Sequence, residues 1–173
     1  TIRSAGSLGY LLSQRNKCPQ EALALLQRGG NDHNIAMMME RKGDYAAASE
    51  LLKVARARAS DETSKLKSMM NAGALMYQQG KIREAADQLR EVRERSIELN
   101  GHKRSALTLI ASDNLALVLK KLGNFDEAEA LYNETLANFE TTKGPDHKDT
   151  LLCRGNLAGL WMDQKCFAKA EAQ

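Results

Sequence analysis

The sequence predicts an all-α protein built from antiparallel helix hairpins stacked into a solenoid, and three observations predict it. Ala, Leu, Met, Glu, Lys, Arg and Gln dominate, while aromatic residues make up 5% and prolines number two, which favours helices and leaves little to build a pleated sheet. One residue pattern recurs four times along the chain, the mark of a repeat architecture. Within each copy, apolar residues step by three and four and then meet a turn, as amphipathic helices do.

The pattern is Asn, apolar, small, two further residues and a large apolar residue, followed by a hydrophilic stretch, Gly, an aromatic or Ile, and Ala. It begins at Asn34-Ile35-Ala36, Asn71-Ala72-Gly73, Asn114-Leu115-Ala116 and Asn156-Leu157-Ala158, with steps of 37, 43 and 42 residues. Gly43, Gly80 and Gly123 hold the turn position, where Lys165 stands in the last copy, and the second half starts with Tyr45, Ile82, Phe125 or Phe167. In the third copy Leu115, Val118, Leu119 and Leu122 form one helix stripe, Gly123 ends that helix, and Asn124 is expected to cap the next one with its side chain.

Small residues at Ala36, Gly73, Ala116 and Ala158, and at Ala48, Ala85, Ala128 and Ala170, let two helix backbones pass closely. Larger ones fill beside them: Met39, Met76, Leu119 and Trp161 on first helices, with Leu52, Leu89 and Tyr132 on second helices. Repeats accordingly span about residues 31–60, 62–100, 103–142 and an incomplete 147–173. Residues 1–30 read as one more hairpin, a degenerate repeat or cap. Leu8, Leu11 and Leu12 mark its first helix, and Cys18-Pro19 opens its second, which Gly29-Gly30 ends.

These residues resemble the tetratricopeptide repeat, and the spacing of 42–43 resembles its longer kinesin-light-chain form. The phrases carrying the resemblance are Asn114-Leu115-Ala116 and Gly144-Pro145-Asp146-His147-Lys148-Asp149-Thr150-Leu151, and the similarity covers about Asp32 to Gln173. It implies a right-handed superhelix whose first helices line a concave groove, and proteins or peptides as the partners. Register then places in that groove His33, Met37, Glu40 and Arg41; Met70, Ala74, Tyr77 and Gln78; Asp113, Leu117, Lys120 and Lys121; and Gly155, Met162 and Asp163. The candidate contact residues are Asn34, Met37, Arg41, Met70, Asn71, Tyr77, Asn114, Leu117, Lys121 and Asn156.

In the family, asparagines at the matching place contact bound peptides; helix-to-helix hydrogen bonding is the other use of an Asn side chain, which both donates and accepts. His33, Met70 and Asp113, with Met37, Ala74 and Leu117, occupy the places where the chaperone-binding members carry lysines and arginines, so a carboxylate clamp is not expected. Of the methionines, Met39 and Met76 are expected in the core, and Met37 and Met70 nearer the groove as adaptable contacts.

Chemistry has little foothold. No phosphate-cradling loop, nucleotide-binding glycine motif or nucleophile elbow occurs, and His33, His102 and His147 are far apart without zinc-like spacing to Cys18, Cys153 or Cys166. No catalytic residue, metal ligand or cofactor is assigned. Acid pairs such as Asp61-Glu62 and Asp126-Glu127 fall at helix starts, where the helix dipole favours them. The net charge of +3 arises from interspersed signs, not a nucleic-acid stripe, and no apolar run reaches the roughly 20 residues of a membrane span.

The expected function is a non-catalytic scaffold or adaptor, acting as a subunit of a larger assembly. A regulatory repeat region of a multidomain protein or enzyme is one alternative, and an RNA-binding helical repeat, disfavoured by the mixed groove and irregular step, is another. The expected compartment is intracellular, foremost the cytoplasm. An organelle is the alternative, because the first twenty residues carry Arg3, Arg15 and Lys17 and no acid.

Overall fold

The computed structural model describes residues 32–101 and 105–164, with the side chains of Asp32 and His33 excepted. The N-terminal hairpin, His102, Lys165, Cys166, Phe167 and Ala170 lie outside the described residues, as do Cys18 and the side chain of His33. The described residues hold seven α-helices and no strand: α1 Asp32–Arg41, α2 Tyr45–Arg58, α3 Glu62–Gln78, α4 Ile82–Asn100, α5 Ala106–Leu122, α6 Phe125–Lys143 and α7 Lys148–Asp163.

The helix ends follow from local chemistry. Gly43, Gly80 and Gly123 take φ of 79°, 77° and 81°, the left-handed conformation that closes a helix without a Cβ clash. The Asp44 carboxylate accepts from the Ala47 amide at 3.1 Å, and Asp61 accepts from the Ser64 amide and hydroxyl at 2.8 and 2.7 Å. Ser105 accepts from the Thr108 amide at 3.1 Å. Asn124 stands at the N-cap of α6 but makes no capping hydrogen bond with its side chain, contrary to expectation. The first turn of α6 holds Asp126 and Glu127 instead, so acid at the positive end of the helix dipole does part of that work.

The described residues fall into two compact units that divide within α3, between Leu75 and Met76. In the first, α1 packs against α2. Ala36, Ala48, Leu52 and Leu75 form one buried cluster, and Ile35 and Met38 form another. The methionine expectation is corrected here: Met38 and Met69 are buried, whereas Met39 and Met76 are only half-buried. Ile35 and Met38 are one helical step apart, as are Leu66 and Met69, so the buried stripe runs through those positions and leaves Met39 and Met76 on its margin.

In the second unit α5 is central, packing against α4, α6 and α7. Leu115, Ala116, Val118 and Leu119 of α5 are buried with Leu89 and Val92 of α4, Ala128 and Tyr132 of α6, and Leu157 and Leu160 of α7. Ala158, expected at a close helix crossing, is only half-buried. Successive repeats are also tied by charge: Arg93 of α4 donates to Ser112 of α5 at 2.9 Å and to Glu134 of α6 at 3.1 Å, and Arg90 reaches Glu127 at 2.9 Å. Arg93 is mostly shielded from solvent, so its pairing is worth more than an exposed ion pair.

Candidate functional site: the first-helix face

The first helices α5 and α7 meet directly, and polar side chains mark their seam. The Asn156 amide approaches the Asp113 carboxylate at 3.3 and 3.5 Å, and Lys120 pairs with Asp163 at 3.0 Å. Both links join residues 43 positions apart, one more than the step of 42 between these repeats. On a helix, residues 110, 113, 117 and 120 share a face, as do 152, 155, 159 and 162. The surface at this seam is therefore Ile110, Asp113, Leu117 and Lys120 on α5, beside Leu152, Gly155, Gly159 and Met162 on α7.

Three of those side chains are apolar yet open to solvent: Ile110 is 40% exposed, Leu152 64% and Met162 57%. A Cβ at Gly155 would meet nothing, and one at Gly159 only the Lys120 ammonium at 3.2 Å. The backbone of α7 thus lies bare at Gly155, and the Lys120 ammonium lies over it at Gly159.

Electrostatically the seam centres on Asp113. Burial raises its carboxyl above the usual range; contacts with Asn156 and Cys153 only partly offset this, and nearby Asp149 adds to the rise. Burial likewise pushes up the Cys153 thiol and the Tyr132 phenol, and the charge of Asp113 pushes both further. The thiol donates to the Tyr132 carbonyl at 3.7 Å, while the buried Tyr132 hydroxyl has no hydrogen-bond partner. Where the chain enters α7, Lys143 pairs with Asp149 and holds its carboxyl below the usual range. The Lys143 ammonium also lies 4.6 Å from the Phe139 ring centre.

The candidate contact residues divide between the units. Asn34, Met37 and Arg41 lie on α1, and Met70 and Asn71 on α3, in the first unit; Arg41 is exposed and the other four half-buried. Tyr77, at the end of α3, belongs to the second unit and lies near Tyr132. Asn114, Leu117 and Lys121 lie on α5 and Asn156 on α7, with Lys121 exposed and the rest half-buried. Glu40 is half-buried, while Ala74 and Gln78 are exposed. Sequence reading missed Ile110 and Leu152 by starting the face one turn late, at Asp113 and Gly155. The repeat step of 42 that maps Ile110 onto Leu152 is the signal that finds them.

Residues 66–104 and 106–172 each match a family model described as tetratricopeptide repeat. No curated protein matches the chain in sequence. Among solved structures, BtubC (BKLC) from P. vanneervenii is similar at 23% identity and a TM-score of 0.70, covering 94% of this chain and 65% of that one. A kinesin-light-chain-like protein of Podosopora anserina with nearly identical TPR-like repeats gives 21% identity and a TM-score of 0.71, covering 99% and 90%. MamA (AMB-1) gives 19% and 0.52, covering 98% and 85%.

The chain is a tetratricopeptide-repeat protein with the all-α helical-repeat fold of the kinesin-light-chain-like arrays. As such it is a protein-interaction scaffold in general terms. No helix among the described residues is long and apolar enough to cross a membrane.

Proposed function

We propose that the protein is a non-catalytic adaptor that binds protein partners through the groove side lined by its first helices, as a subunit of a larger intracellular assembly, foremost in the cytoplasm. The carrying observation is the contrast between α6 and the first helices α5 and α7, with Leu99 near the end of α4 and Leu151 beside Leu152 as the other exposed large apolar side chains among the described residues of this unit. The large apolar side chains of α6, such as Leu131, Tyr132 and Phe139, are buried, whereas α5 and α7 hold Ile110, Leu152 and Met162 out to solvent. Exposed apolar side chains gathered on one face mark interaction sites rather than scattered surface. Lys120 and Asp163 neutralise each other at that face, so neither a basic track for nucleic acid nor a row of cations for a terminal carboxylate is assembled there.

The test is partner retention. Ile110→Glu with Leu152→Glu is expected to abolish retention of partners that the parent chain holds from a cell extract. Ala130→Glu with Ala137→Glu, at exposed positions of α6, is expected to leave it intact. Equal loss from both pairs, or from neither, would overturn the assignment of this face.

A further inference from the structure

We propose that the α5–α7 face takes an extended segment of a protein partner in which a Lys or Arg pairs with Asp113 and flanking apolar side chains lie on Ile110 and Leu152. The inference rests on the groove-binding reading and adds the chemistry of the bound segment.

Charge selects the occupant. The Asp113 carboxylate is met by neutral groups, Asn156 at 3.3 and 3.5 Å and the Cys153 thiol, and no cation pairs with it among the described residues. Lys120, the cation on the same helix face two turns on, is committed to Asp163 at 3.0 Å. A partly buried carboxylate supplied only with neutral contacts is under-compensated, and an incoming ammonium or guanidinium corrects that at short range. A carboxylate in the same place would meet like charge in a medium that screens poorly.

Shape admits an extended backbone. Gly155 leaves α7 without a side chain one turn beyond Leu152, while the Lys120 ammonium lies over Gly159, and each glycine costs about 1 kcal/mol of helix stability relative to Ala. An Ala at 155 would meet nothing, so internal packing does not require that glycine. Ile110 and Leu152, one repeat step apart on adjacent helices, stand exposed at one end of the strip, and Met162 at the other.

The experiment pans random dodecapeptides displayed on phage against the whole chain and measures the best binders as labelled synthetic peptides by fluorescence anisotropy. Enriched peptides are expected to carry Lys or Arg between apolar residues. Replacing that cation by Gln, or Asp113→Asn in the protein, is expected to weaken binding about tenfold, the two changes together costing little more than either alone. Leu152→Ser with Met162→Ser, at exposed positions that folding does not need, is expected to weaken the same peptides. Peptides that lose affinity in that pair but not in Asp113→Asn would overturn the charge inference and leave the groove reading standing. Absence of any enriched peptide would also overturn it, and the groove reading would then rest on partner retention alone.

Discussion

At the residue scale, Asp113 pits stability against recognition. Burial raises its carboxyl, so the folded chain holds the proton more tightly than the unfolded chain. Above the folded value the ionised form costs stability in full; the cost shrinks as pH falls below that value and is gone only below the unfolded carboxyl's value. Asp113→Asn keeps the side-chain shape and removes the charge. It is expected to stabilise the chain by about 1 kcal/mol near neutral pH, a rise of about 2–4 °C in melting temperature. The gap from the parent should close as the pH approaches about 4. Thermal melts of both proteins across that range check it; a gap that widens on acidification would refute the burial account. Asp149 has the opposite sign, because Lys143 holds its carboxyl low. Its contribution is present above the ordinary carboxylate range and fades as pH falls below it. Neither environment was legible in the sequence: that Asp113 meets Asn156, while Asp149 meets Lys143, depends on how one repeat lies on the next.

At the element scale, the two kinds of turn glycine make different demands. Gly123 has φ 81° and ψ 7°, a region that Asn enters at modest cost, whereas Gly144 has φ 93° and ψ 161°, a region essentially closed to side chains. No neighbour would touch a Cβ at either place, so the backbone alone sets the penalty. Gly123→Asn is expected to cost under about 1 kcal/mol, and Gly144→Asn about 1–3 kcal/mol, measured by urea unfolding. Equal losses would refute the distinction. The Gly144 carbonyl also accepts from the Thr150 hydroxyl at 2.8 Å, and Arg154 reaches Glu140 at 2.8 Å, tying α7 to the end of α6. The helices and their turns were legible because periodicity and glycine are local signals. Which of Met37, Met38 and Met39 is buried was not, since three consecutive methionines fit the core equally well and the rotation of a ten-residue helix decides. Ile110 and Leu152 were within reach of the repeat step, and escaped because an apolar residue beside a buried one reads as core.

At the scale of the whole molecule, a repeat protein is a row of units in which each element depends on its neighbours, so damage should spread along contacts. In the second unit α5 touches α4, α6 and α7, and Leu119, 1% exposed, lies among its buried residues. Leu119→Ala leaves a cavity whose expected cost is about 2–5 kcal/mol. If α5 were stable by itself, only its own amides would exchange faster. Isolated helices of this length are marginal in water, however, and nine of the seventeen residues of α5 are buried against other helices. Loosening α5 therefore removes packing from each neighbour, and amide exchange is expected to accelerate together in α4, α5, α6 and α7. The response should be graded by connection: α7 has α6 as a second support, and the Arg93 bridge to Ser112 and Glu134 holds α4 to both α5 and α6. Adding Arg93→Ala to Leu119→Ala should then speed exchange in α4 more than in α7. Acceleration confined to α5, or an equal response in α4 and α7 to the second substitution, would show that the apolar core alone couples the repeats.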